Sequence, residues 1–218
     1  MSEDENIEII EIIKIVIIGE SSVGKTSIIS QFVDNIFQEE LISTVGGLFN
    51  QKTMKCVDLN KIIKLEIWDT AGQERYRSVT KMFYKDADVA VLVYDITNQK
   101  SFKALQNYWV EQVQESSLKE TILVLAANKS DLTENEQVDE SEARDYSKEI
   151  NAIFFVVSAK NSSSINDLFK EIVKKKTGSK NVIIIEDNED SVFQFKKIRK
   201  ESISLNKAKA KKKKIGCC

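Results

Sequence analysis

The stretch Ile12–Thr26, IIKIVIIGESSVGKT, decides the fold. Its first part is a run of Ile and Val broken only by Lys14, the pattern of a buried strand. Its second part, Gly19-Glu20-Ser21-Ser22-Val23-Gly24-Lys25-Thr26, fits G-x-x-x-x-G-K-[ST] and runs directly into a helical pattern over Lys25–Asp34. A strand that turns through glycines into a helix aims several backbone N–H groups at one point. Phosphate suits that point. Lys25 would neutralise the β and γ phosphates, and Thr26 would offer its hydroxyl to Mg²⁺. The motif specifies a nucleotide without saying which one.

Outward from this junction, apolar runs alternate with helical stretches. Strands are expected at Ile12–Ile18, Phe49–Val57, Lys64–Trp68, Val89–Tyr94, Ile122–Ala126 and Phe154–Val157. Helices are expected at Lys25–Asp34, Ser101–Glu115, Ser141–Glu149 and Ile165–Lys175. The second and third strands are joined only by Asp58-Leu59-Asn60-Lys61, too short for a crossover helix and suited to an antiparallel hairpin. The expectation is an α/β P-loop NTPase fold: a six-stranded, mostly parallel sheet with one antiparallel strand and helices on both faces. Residues 1–11 read as an N-terminal extension, 12–176 as the nucleotide domain, and 177–218 as a mostly disordered tether.

Composition narrows the function. The chain has 218 residues, 42% of them hydrophobic, enough for one sizeable core. It has no His and three Cys, so neither a zinc set nor a disulfide framework is available, and a reducing compartment fits best. Met1–Asn6 carries three acids and no base, unlike a secretory signal. Six lysines fall in the last dozen residues, which leaves about −8 on the rest of a chain of net charge −2. The basic character is local and argues against a nucleic-acid-binding face. Taken alone, the ending Lys211–Lys214, Ile215, Gly216, Cys217, Cys218 suits nucleic acid or acidic lipid, and a disulfide, a metal or a lipid.

Three further segments carry chemistry. Asp69, at the end of the third strand and before Thr70-Ala71-Gly72-Gln73-Glu74, can reach the metal, usually through water; Gly72 offers an amide to a γ-phosphate and Gln73 would orient the attacking water. Thr44, in the loop before the second strand, is a metal ligand only while a γ-phosphate holds that loop in. Asn128-Lys129-Ser130-Asp131 follows an apolar run. The Asp131 carboxylate would accept both N–H groups on the guanine edge, a pairing that adenine cannot provide, while Asn128 and Lys129 brace the loop and ring. Ser158-Ala159-Lys160 closes the next strand and can add a backbone amide to the guanine oxygen.

The ordered set GESSVGKT, Thr44, WDTAGQE, NKSD and SAK resembles the Ras-like small GTPases from about Ile12 to Lys176. Within them it is similar to the Rabs, by Trp68 before Asp69, by Ala71–Ser78, by Tyr94-Asp95-Ile96-Thr97-Asn98 and by the terminal cysteine pair. The resemblance implies nucleotide contacts from Gly19, Ser21, Ser22, Val23, Gly24, Lys25, Thr26 and Ser27 as well, with Phe37 packing on the base. It implies Mg²⁺ at Thr26, Thr44 and Asp69, catalysis through Gln73, and an aromatic triad of Phe49, Trp68 and Phe83 that effectors read. Val45-Gly46-Gly47-Leu48-Phe49 and Phe83-Tyr84-Lys85-Asp86-Ala87 depart from the usual Rab patterns, and the small residues after Thr44 resemble the early-endosomal subgroup.

The same resemblance implies geranylgeranylation of Cys217 and Cys218, since their placement does not match C-a-a-X. Two chains hold stably where one is marginal, and each nearby lysine contributes roughly 1 kcal/mol toward an anionic leaflet. The activity implied is a GTP/GDP switch that hydrolyses GTP slowly, since no Arg lies between Lys25 and Thr44 to act in cis. Implied partners are an exchange factor, an activating protein, effectors, a GDP-dissociation inhibitor and a prenylation escort. The protein would be a monomer on the cytoplasmic face of intracellular membranes, endosomal ones included, cycling with the cytosol. Two rival readings are a silent GTP-binding scaffold, which Gln73 argues against, and an ATP-dependent phosphotransferase, which Asp131 argues against.

Overall fold

The computed structural model describes residues 9–39, 47–70, 83–116 and 120–185. Its strands are β1 (Ile9–Ile18), β2 (Gly47–Cys56), β3 (Lys61–Thr70), β4 (Val89–Asp95), β5 (Ile122–Asn128), β6 (Ile153–Val156) and β7 (Val182–Ile184). The helices are α1 (Lys25–Asp34), α2 (Gln99–Ala104, continuing through Leu105–Trp109 and Val110–Ser116), α3 (Glu140–Glu149) and α4 (Ser162–Thr177).

All seven strands form one sheet in the order β6-β5-β4-β1-β3-β2-β7. Strands β1, β3, β4, β5 and β6 are mutually parallel, so their C-terminal ends share one edge. β2 runs antiparallel to β3, with Phe49 opposite Trp68, as the short connection at Asp58–Asn60 requires. Alternate residues of β1 feed two cores. Ile13, Ile15 and Ile17 pack with α1 and α4, where Phe32 stacks on Phe169 at 3.8 Å; Val16 and Ile18 pack with α2 and α3 through Phe102, Leu105, Trp109 and Ala143. Helices thus cover both faces, and the near-continuous apolar runs in β1 and β4 follow from burial on both sides.

Two features depart from the expectation. The sheet has seven strands rather than six, because Val182–Ile184 pairs antiparallel with Met54–Cys56. Without it Met54–Cys56 would present unpaired backbone groups at the sheet edge. Its geometry starts at Gly178, whose φ of +76° ends α4 while its N–H bonds the Lys174 carbonyl. The Asp58 carboxylate, in the hairpin turn, then accepts from the Ser179 hydroxyl and from the N–H groups of Lys180 at 2.8 Å and Asn181 at 3.4 Å. A strand of three residues is too short for periodicity to reveal. The second departure lies inside α2, expected as an ordinary helix. Leu105–Trp109 forms a π-helical turn that turns both of its end residues into the core.

β7 stabilises the sheet through Val182, which is 6% exposed. Ending the chain at Thr177 instead of Ile185 is expected to lower the unfolding free energy by about 1–3 kcal/mol, read by urea denaturation of both chains. Equal midpoints and slopes would show that this strand contributes nothing.

Candidate functional site

Because the parallel strands end together, Gly19, Asp69, Asp95, Asn128 and the turn after Val156 gather at one edge, where β1 has β4 on one side and β3 on the other. This is the strand-order reversal at which open α/β sheets bind ligands.

The phosphate loop is held by close approach. Gly19 has φ +146°, and a Cβ there would lie 2.2 Å from the Val93 carbonyl oxygen. At Gly24, φ is +95° and a Cβ would lie 2.3 Å from Asn128 Nδ2. Both glycines are therefore required by conformation and by space. Lys25 Nζ donates to the carbonyls of Gly19 at 2.9 Å and Glu20 at 2.7 Å. Burial lowers the Lys25 pKa to about 8, against the opposing pull of the Asp69 and Glu20 carboxylates. Val23 is buried, Ser21 and Ser22 are exposed, and Ser27 is half-buried in the first turn of α1.

The metal side rests on Thr26 and Asp69. The Thr26 hydroxyl donates to Asp69 Oδ2 at 2.6 Å, while Oδ1 is buried with no hydrogen-bond partner. Burial raises the Asp69 pKa, and the Thr26 hydroxyl and the Lys25 charge oppose that rise. An orphaned carboxylate oxygen beside a hydroxyl is an all-oxygen donor set of the kind Mg²⁺ takes. The residues present fit the ion. Thr44, Ala71, Gly72 and Gln73 lie outside the described residues.

The base side is assembled from β5 and the loop after β6. Asn128 is buried and joins two loops, donating from Nδ2 to the Val23 carbonyl at 2.8 Å and accepting at Oδ1 from the Ala159 N–H at 3.3 Å. Lys129, at φ +66°, reaches across to Asp95 at 2.6 Å. Asp131 Oδ1 accepts from the Ser158 hydroxyl at 2.6 Å, and Lys160 lies 3.4 Å from its Oδ2. Slight burial works against ionisation of Asp131, but the hydrogen bonds from Ser158, its own backbone and Lys160 outweigh it and hold the carboxyl below its ordinary range. The Lys160 ammonium also sits 5.6 Å from the centre of the Phe37 ring. Phosphate, metal and base residues named from the sequence thus converge where the structure describes them.

The three aromatics implied by the resemblance meet as well, with Phe49 5.0 Å from Trp68 and Trp68 5.4 Å from Phe83. Gly47 has a steric role that sequence reasoning did not assign, since a Cβ there would stand 2.6 Å from Phe83 Cζ. Asp95 was also missed. It lies in the quoted stretch Tyr94–Asn98, but its ion pair with Lys129 arises only from the pairing of Asp95 with Asn128 in adjacent strands.

A phosphate ligand brings negative charge to Lys25 and returns its pKa toward the ordinary lysine value. Binding of a nucleoside diphosphate is therefore expected to take up roughly 0.5–0.8 of a proton at pH 8.5 and about 0.1 at pH 7. Calorimetric titrations in buffers of different ionisation enthalpy measure this; equal uptake at the two pH values would show that Lys25 stays charged throughout.

Comparison with known proteins agrees with this geometry. A family model described as the Ras family matches residues 14–177. The chain is 41% identical over 163 residues to GTP-binding protein ypt5 of Schizosaccharomyces pombe, covering 74% of this chain and 76% of that protein. It is 40% identical over 163 residues to Ras-related protein Rab-22A of Mus musculus, covering 75% and 82%, and 44% identical over 162 residues to Ras-related protein RabJ of Dictyostelium discoideum, covering 74% and 62%. By fold, by the order of its site loops and by these likenesses, the chain belongs to the Ras family of small GTPases, among its Rab members.

Proposed function

We propose that this Rab GTPase works as a membrane-anchored switch in vesicle traffic, with GTP and GDP read through the residues assembled at the sheet edge. The observation that carries this reading is Asn128, which ties the phosphate loop and the base loops into one site. Lys25 would leave the carbonyls of Gly19 and Glu20 for the β and γ phosphates, in line with Gly19–Ser27 wrapping the phosphate chain. Asp131 would accept from the guanine edge, with Lys129, Ala159, Lys160 and Phe37 enclosing the ring. Thr26, Asp69 and, in the GTP form, Thr44 would hold Mg²⁺ directly or through water. When bound, that ion neutralises charge on the phosphate oxygens.

Gln73 would orient the attacking water, and Gly72 would bind the γ-phosphate by its amide. Loss of that phosphate releases the contacts of Thr44 and Gly72, which is how such switches change the surface that partners meet. Effectors would meet Phe49, Trp68 and Phe83; Phe49 is 46% exposed, so the cluster is open to a partner on one side. An exchange factor, an activating protein, a GDP-dissociation inhibitor and a prenylation escort complete the cycle of a monomer. The tail would carry lipids at Cys217 and Cys218, with Lys211–Lys214 favouring an anionic leaflet, at endosomal or vesicle membranes on the cytoplasmic side.

The test is to denature the purified protein, identify the released nucleotide, and then follow GTP loaded onto fresh protein. GDP on release and a slow decay of GTP to GDP are expected. Adenine nucleotide would indicate the phosphotransferase reading, and GTP that never decays would indicate a silent scaffold. Gln73→Leu is expected to slow hydrolysis at least tenfold with guanine nucleotide still bound; unchanged turnover would remove Gln73 from its role. An activating protein that inserts an arginine is expected to raise the rate by about 10³–10⁵.

A further inference from the structure

A lysine that encloses a purine works best when it is held beforehand, because its long stem samples many rotamers and binding has to remove that freedom. The main chain at Lys129 is set by its own loop. It takes φ +66°, a left-handed conformation uncommon for any residue but glycine. Its carbonyl accepts from the Leu132 N–H at 2.9 Å, and the next N–H, of Ser130, donates to the Val157 carbonyl at 3.2 Å. The side chain is met from a different strand. Lys129 Nζ lies 2.6 Å from Asp95 Oδ2 at the end of β4, and the Asp95 side chain is 8% exposed against 33% for Lys129.

Asp95 is itself fixed. Its Oδ1 accepts from the Thr97 N–H at 2.9 Å and from the Thr97 hydroxyl at 2.7 Å, so the turn after β4 sets the carboxylate's orientation. Its N–H donates to Ser101 Oγ at 3.1 Å, and the Ser101 hydroxyl donates to the Asn98 carbonyl at 2.7 Å, which ties the strand end to the start of α2. A buried carboxylate with one oxygen committed to a turn and the other to an ammonium is a rigid anchor. The base side therefore holds two acid–lysine pairs, Asp95 with Lys129 and Asp131 with Lys160. The pair at Asp131 is more open to solvent and contains the carboxylate assigned to the guanine edge; Asp95 has no such assignment.

We propose that Asp95 is a positioning residue for base binding, fixing the Lys129 ammonium from β4 so that the Lys129 side chain is already ordered when a purine arrives. The inference rests on the placing of Lys129 against the ring in the functional reading above. It differs from a role in the turn alone, because Asp95 acts through the Lys129 ammonium and its effect disappears when that ammonium is gone.

The experiment measures dissociation of a fluorescent GDP analogue from the full chain in saturating Mg²⁺, chased with excess GDP. Asp95→Asn keeps the shape and an acceptor for Thr97 but removes the charge; it is expected to speed dissociation about tenfold. In a Lys129→Met background, which keeps an unbranched stem without the ammonium, the same substitution is expected to speed dissociation by no more than about twofold. A defect in the turn or in packing would act equally in both backgrounds. An unchanged rate in Asp95→Asn, or an equal acceleration with and without the Lys129 ammonium, overturns the proposal. Should Asp95→Asn fail to fold, Thr97→Val decides instead, since it removes the hydroxyl donor that orients Asp95 and leaves every charge in place. An acceleration of about threefold that is lost in the Lys129→Met background sustains the proposal, and no acceleration, or an equal one in both backgrounds, overturns it. Unmodified protein that retains GDP while these variants fail the test would sink this inference alone; unmodified protein that retains no guanine nucleotide would sink the functional reading with it.

Discussion

The buried amide of Asn128 is the contact on which the site depends. Its Nδ2 donates to the carbonyl of Val23 in the phosphate loop, and its Oδ1 accepts from the N–H of Ala159 after β6. One side chain therefore uses both its donor and its acceptor to join loops that lie more than a hundred residues apart in the chain. A buried amide left half satisfied is costly, so the geometry of either loop constrains the other. Gly24 shows how tight the constraint is, because even a methyl group there would collide with Asn128. The Gly19–Lys25 loop and the loop after β6 are thus mechanically joined.

Around that joint the chain has collected charges that are poorly accommodated without a ligand. Lys25 is buried and its pKa is depressed, Asp69 is buried and its pKa is raised, and one Asp69 oxygen lacks a hydrogen bond. These groups are in tension with their surroundings in a way that an anion and a divalent cation together relieve. Such an arrangement contributes little to the fold's own stability. Function has been built where the sheet edge is already rigid, at the ends of five parallel strands whose central members are buried on both faces.

The opposite end of the hairpin is organised differently. There Asp58 gathers Ser179, Lys180 and Asn181, and β7 pairs with the last three residues of β2, Met54–Cys56. β2 also carries Phe49, so the strand that presents one member of the aromatic cluster has its far end paired with the segment that leaves α4. Along Met54–Cys56 the short antiparallel pairing occupies backbone groups that would otherwise stand open to unwanted strand addition.

Much of this was legible in the sequence, for identifiable reasons. Ile12–Thr26 combines a strand pattern with a glycine and lysine spacing that few other structures satisfy, and the short link at Asp58–Asn60 left no alternative to an antiparallel pair. Asp69, Asn128, Asp131 and Ser158 were readable because each stands at or just after the end of an apolar run, where a parallel sheet must place its functional residues. What only the tertiary structure decided depends on contacts between distant segments. β7 pairs with Met54–Cys56, Gly47 lies tight against Phe83, strand pairing brings Asp95 to Lys129, and Glu20 meets Trp109 at the end of a π-helical turn. Local periodicity and spacing record what a segment does with its neighbours in sequence; they carry no information about which distant surface a side chain will meet.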